Sequence, residues 1–158
     1  MSTKFAGLAL AAVLLAGCAT APAPAPITAT AARTPQLSTL TKLIADAGLQ
    51  DTLNGPGPYT VFAPSDEAFK AVPAKTLAEL AADKNKLKAV LSYHVVAARL
   101  PAGEVKNGSV KSVQGANLAL ANAGAFVTVE DAVVQQADVV ATNGVVHIID
   151  RVLMPPTR

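Results

Sequence analysis

The chain changes rhythm along its length, from apolar positions spaced three and four apart to short alternating runs. Leu37, Leu40, Leu43, Ile44 and Ala47 follow the first spacing, which predicts an amphipathic helix that Gly48 can terminate. Leu77, Leu80 and Ala81, after Pro73, predict a second helix, and Leu87, Val90, Leu91 and His94 a third. Between the first two, Tyr59-Thr60-Val61-Phe62 is a β-branched and aromatic run that stops at Pro64, which cannot donate to a sheet ladder. Ser65 is placed to cap a further helix there, with Asp66 and Glu67 in its first turn and Ala68, Phe69 and Val72 on its apolar side.

Beyond Pro101 strands are expected at 110–113, 117–121, 126–129 and 132–134, jointed at Asn107-Gly108, Gln114-Gly115 and Asn122-Ala123-Gly124. The final pair, 139–142 and 145–150, flanks Asn143-Gly144, a hairpin signal because both residues tolerate positive φ. Val145, His147 and Ile149 alternate with Val146, Ile148 and Asp150, so both faces of the return strand are largely apolar and it belongs at the centre of a covered sheet. Helices in the first half and strands in the second predict an α+β fold of one domain.

The N-terminus follows a different logic. Lys4 precedes an apolar stretch, 5–15, that is shorter than the roughly 20 residues a bilayer span needs but suits a signal-peptide core. It runs into Leu15-Ala16-Gly17-Cys18, an order similar to the bacterial lipobox. That resemblance implies a signal peptide over residues 1–17, cleavage before Cys18 and attachment of diacylglycerol to its thiol. Two or three acyl chains anchor stably where one does not. The membrane is therefore one expected partner, and Ala19 after the cysteine points to the outer membrane in a Gram-negative source. Residues 18–34 read as the lipidated cysteine and an Ala/Pro/Thr-rich tether; Pro22, Pro24 and Pro26 favour extended backbone, with a reach of up to roughly 50 Å and no structure of its own. Residues 35–158 are left as the folded domain.

Composition adds limits. Of the 158 residues 51% are apolar, enough for a real core, and 15% are charged. The formal net charge of +2 gives no reason to expect a nucleic acid partner. Lys84, Lys86 and Lys88 alternate with apolar positions and read as the solvated face of their helix. Cys18 is the single cysteine, so the domain has no internal disulfide to rely on.

Candidate chemistry is sparse. His94 lies on the buried stripe of its helix and His147 between Val145 and Ile149 on a strand; each reads as a core histidine held by a hydrogen bond, with Asp66 or a backbone carbonyl as acceptor for His94. A metal or proton-transfer site would require both rings to meet a carboxylate. Glu130-Asp131 reads as a solvated turn. No G-x-S-x-G elbow, P-loop or G-x-G-x-x-G is present. No catalytic, metal or cofactor residue is assigned, and no enzyme is expected.

Three segments carry a family resemblance: Gly57-Pro58-Tyr59-Thr60-Val61-Phe62-Ala63-Pro64-Ser65-Asp66-Glu67-Ala68-Phe69, Leu91-Ser92-Tyr93-His94-Val95-Val96, and Ala141-Thr142-Asn143-Gly144-Val145-Val146-His147-Ile148-Ile149-Asp150. They resemble the two homology boxes and the central Tyr-His motif of the fasciclin (FAS1) domain, over a span from about Gln36 to Pro155. The resemblance implies a FAS1-like sandwich or wedge of short strands, with helices packed from the N-terminal half. It also implies a non-catalytic extracellular module of adhesion, whose ligand is an unnamed protein or polysaccharide of the cell surface or envelope. Thr60, Phe62, Pro64, Asp66, Phe69, Tyr93, His94, Asn143, Gly144, His147 and Asp150 match its motif positions and are expected to be structural, although the Tyr-His region is linked to receptor contacts in animal members. Two other functions remain open from sequence: a periplasmic structural or stress protein, and a small-molecule carrier.

Overall fold

The computed structural model describes residues 25–156. The lipobox residues Leu15, Ala16 and Gly17, Cys18 and the signal-peptide stretch lie outside them. Seven strands form one mixed sheet in the order β2-β1-β7-β6-β5-β4-β3. These are β1 (Tyr59–Pro64), β2 (Val95–Val96), β3 (Gly108–Lys111), β4 (Asn117–Asn122), β5 (Val127–Val129), β6 (Ala132–Ala141) and β7 (Gly144–Ile149). β1 and β7 run parallel, with Phe62 opposite His147, and the other pairings are antiparallel. The sheet curls until its edges meet: Val96 bridges Ser112, and the Val113 amide donates to the Val95 carbonyl at 2.7 Å.

Helices α1 (Ile27–Arg33), α2 (Ser38–Asp46), α3 (Gln50–Leu53), α4 (Asp66–Ala71), α5 (Ala74–Ala82) and α6 (Lys84–Tyr93) supply the other layer. Leu40, Ile44, Leu87 and Leu91 from the helices pack with Val61, Ala63, Val146 and Ile148 from the sheet. Inside the curl, a second cluster gathers Phe62, Tyr93, Val96, Leu118, Val129 and Ile149. Each buried side chain of the size of Phe62 stabilises the fold by about 2–3 kcal/mol relative to exposure. β7 separates the two clusters and all six of its residues are buried, as a strand apolar on both faces requires. The α+β expectation therefore holds, with the helical layer drawn from the N-terminal half.

Local predictions hold at several ends. β1 stops at Pro64, the Ser65 hydroxyl accepts from the Ala68 amide at 3.3 Å, and α4 ends before Pro73. α2 ends at Asp46, with Gly48 following at φ +67°. The three lysines 84, 86 and 88 are exposed on α6.

Two expectations are corrected. The tether does not extend to residue 34, because residues 27–33 form α1, with Ile27 and Ala31 buried. A seven-residue helix is marginal alone; this one is held by its surroundings. The Ala25 carbonyl accepts from the Thr142 amide at 2.9 Å, and the Ile27 amide donates to the Asn143 side chain at 3.0 Å. The packed unit thus begins at Ala25 at the latest, not at residue 35. The second correction concerns the last hairpin. Ala141 pairs with Gly144, so its two-residue turn is Thr142-Asn143, and neither Asn143 nor Gly144 has positive φ. Gly144 is required for a different reason: a Cβ there would overlap the Tyr59 carbonyl oxygen and lie 2.8 Å from its carbon, where β1 passes close alongside.

Candidate functional site

The three motif segments form one continuous patch of structure. β2, β1 and β7 are neighbours, and the Phe62 amide donates to the His94 carbonyl at 2.9 Å, tying the end of α6 to the middle of β1. Within this patch the polar side chains serve the backbone.

His94, 1% exposed, sits at the end of α6. Its Nδ1 lies 2.7 Å from the Val90 carbonyl and its Nε2 accepts from the Leu153 amide at 2.9 Å. These partners fix a neutral ring protonated on Nδ1. Burial pushes its pKa from 6.5 down to about 4, against a smaller upward effect of the Val90 hydrogen bond. The acceptor is thus a backbone carbonyl and not Asp66. His147 is held in the same way with its tautomer reversed. Nε2 lies 2.7 Å from the Leu100 carbonyl, Nδ1 accepts from the Asp138 amide at 3.2 Å, and the ring stacks on Phe62 at 5.6 Å between centroids. Burial lowers its pKa too, opposed by the Leu100 hydrogen bond and the Asp138 charge.

Thr60, fully buried, donates to the Ala98 carbonyl at 2.6 Å and accepts from the Leu100 amide at 2.9 Å. Thr60 and His147 together fasten the segment that leaves β2. Tyr93 packs among the second cluster, its hydroxyl 3.4 Å from both the Asn117 carbonyl and a Glu130 carboxylate oxygen. Burial raises its pKa, with the Glu130 charge acting in the same direction. Phe62 and Phe69 fill the core, and Pro64 is buried at the strand end.

Asp66 stands apart from both histidines. It accepts from the Ser38 hydroxyl at 2.6 Å and the Thr39 amide at 2.8 Å, closing the exposed start of α2 onto α4. Burial would raise its pKa, but these hydrogen bonds and Lys70 outweigh it and hold the carboxyl below its ordinary value. Asp150 accepts from the Val133 amide at 2.8 Å. Asn143 joins three elements: its Oδ1 takes the first amide of α1, while its Nδ2 donates to the carbonyls of Leu53 and Gly55 at 2.5 and 3.1 Å.

The two histidines are thus engaged separately, each by two backbone groups. Among the described residues no three His, Cys, Asp or Glu side chains gather as a metal site would require. Two further acids, Glu130 on the turn expected at Glu130-Asp131 and Asp138, which has no assigned role in the sequence, also serve the backbone. Glu130, at φ 54°, accepts from the Ala119 amide at 2.7 Å, and Asp138, at φ 57°, accepts from the Ala102 amide at 2.8 Å. Neither has a sequence signal beyond the tolerance of Asp for that conformation. No helix among the described residues is long and apolar enough to cross a membrane.

Comparisons with known proteins agree with this geometry. The Fasciclin domain family profile matches residues 35–155. The chain is 42% identical over 128 residues to Protein sll1483 of Synechocystis sp., covering 80% of this chain and 71% of that protein. It is 43% identical over 126 residues to Transforming growth factor-beta-induced protein ig-h3 of Sus scrofa, covering 78% of this chain but 18% of that one. With Cell surface glycolipoprotein MPB83 of Mycobacterium bovis it shares 41% identity over 133 residues, 81% of this chain and 60% of that protein. The chain therefore spans less than two thirds of the last two relatives. Among solved structures, the FAS1 domain pair from the insect cell adhesion molecule Fasciclin I is similar at a TM-score of 0.63 and 30% identity, over 75% of this chain and 45% of that one.

Proposed function

The chain belongs to the fasciclin domain family, and from that premise we propose that it is a non-catalytic interaction module, held at the outer face of a bacterial cell envelope by lipid on Cys18 and mediating adhesion. The observation that carries the reading is the use made of the motif's polar side chains. His94, His147, Thr60 and Asn143 each bind main-chain groups from elsewhere in the chain, so they build a rigid support rather than a reaction centre. Similarity to an insect cell adhesion molecule and to a cell surface glycolipoprotein supports the surface setting. The short apolar core followed by Leu15-Ala16-Gly17-Cys18 supports the anchor. The ligand is a protein or polysaccharide of the surface or envelope.

Three experiments test this. Cells given an alkyne fatty acid should label the protein but not its Cys18→Ser variant; label retained on the variant overturns the anchor. Intact cells treated with an impermeant biotin reagent should yield biotinylated protein, and the chain from residue 19 should capture envelope material in a pull-down. Labelling only after lysis would place the module inside the envelope and overturn the adhesive role.

A further inference from the structure

A groove of about 840 Å³ opens on the helical side, between α4, α5 and α6 and the segment that follows β7. None of the motif polar side chains described above lines it. Its surface is made of small and aliphatic groups, among them Ala68, Ala71, Ala89, Leu80 and Met154. Met154 is 43% exposed, a large apolar side chain left half in water. The charged residues of the lining are Lys86, from α6, and Arg151, from the final segment; no Asp or Glu is part of the lining. Among the described residues neither cation is paired with an acid.

The wall bearing Arg151 and Met154 is fixed by the core. His94 accepts the Leu153 amide and so holds the final segment against the end of α6. The groove is therefore pre-formed, and its volume lies within the roughly 300–1,000 Å³ usual for small-molecule sites. Its surface offers alanines and no aromatic residue, which suits a slender chain better than the bulky anchors of a protein interface. Two unpaired cations beside an apolar trough call for a ligand with one anionic end, and an arginine can take a carboxylate through two parallel hydrogen bonds.

We propose that this groove binds a free long-chain carboxylate, its hydrocarbon chain along Ala68, Ala89, Leu80 and Met154 and its head at Lys86 and Arg151. The site is independent of the adhesive role. The test uses the full chain carrying Cys18→Ser, so that attached lipid cannot reach the groove, titrated calorimetrically with dodecanoate below its micellar concentration. Saturable binding of one molecule is expected, at least tenfold weaker for dodecanol, which has the same chain length and no charge. The double variant Lys86→Glu, Arg151→Glu should weaken dodecanoate at least tenfold. Ala89→Trp should abolish binding by filling the trough, and Ala71→Trp at the exposed rim should do so should Ala89→Trp unfold. Absence of saturable binding below the micellar concentration, equal affinity for dodecanol, or full affinity in the charge-reversed variant would each overturn the proposal.

Discussion

The motif patch of β2, β1 and β7 and the groove beside α6 differ in how their polar groups are used. In the patch, two buried histidines and a buried threonine each hold two backbone groups, at least one of them distant in the chain, so removing one side chain strands its partners inside the protein. In the groove, Lys86 and Arg151 stand exposed beside apolar surface. The residues easiest to pick out in the sequence therefore maintain the fold, whereas the unpaired charge lies on residues that belong to no motif. The contrast predicts that substitutions in the patch cost stability and that those in the groove cost little.

The largest effect is expected at Gly144. Gly144→Ala puts a methyl group into the Tyr59 backbone, which cannot yield without separating β1 from β7, and should destabilise by about 3 kcal/mol or more. A denaturant midpoint within error of the parent would show that the strands are not so close. His94→Ala should cost about 3 kcal/mol, through a cavity and two stranded backbone groups. The same residue makes stability depend on pH. The folded ring, with its pKa near 4, binds fewer protons than the unfolded ring, with its pKa near 6.5. Its contribution is complete above pH 6.5 and is lost as pH falls toward 4, by about 3 kcal/mol. His147 acts in the same direction. Asp66, also shifted down, loses its contribution only below its ordinary value of 3.8. Urea unfolding between pH 4 and 7 should show this slope in the parent and a shallower one in His94→Ala; equal slopes would return the titration to other groups.

Asn143→Val should cost about 2 kcal/mol, because three hydrogen bonds joining α1, the end of α3 and β7 are lost together. Asn143→Asp sharpens this: it keeps the acceptor for Ile27 but loses both donors, so an intermediate loss is expected in the same unfolding assay. Smallest is Lys86→Glu with Arg151→Glu, expected within about 0.5 kcal/mol of the parent since both side chains are exposed. A loss above 1 kcal/mol would mean that these cations belong to the structural half of the contrast.

The same contrast explains what could be read from sequence. β7 declared itself through apolar residues on both faces, and α4 through Ser65, two acids and Pro73, because these are local signals. The burial of His94 followed from its place on an apolar stripe, but its partner Leu153 is 59 positions away and leaves no local trace. α1 was hidden because Ala and Thr after alternating prolines look like a linker, and its helix depends on contacts with Asn143 and Thr142. The Asn-Gly pair was a genuine signal read for the wrong cause. Its glycine answers to a neighbouring strand and its asparagine to two helical segments, neither of which lies next to it in sequence. The groove was invisible for the same reason: Lys86 and Arg151 come to line one groove only after folding.

The incorporation of α1 also sets a length. With residues 27–33 helical and Ala25 bonded to Thr142, only six residues, 19–24, remain between Cys18 and the folded body. Even fully stretched they reach no more than roughly 25 Å, half of what a sixteen-residue leash would allow. On the proposed lipid anchor the domain rides low over the bilayer, and the end that carries Ala25 and the Thr142-Asn143 turn is its underside. Contacts with another cell must then be made from the far end or the flanks, at a height set by the domain's own size. A flexible spacer of twenty residues inserted before Ala25 should raise that height and make the underside accessible to an impermeant label that the short leash excludes.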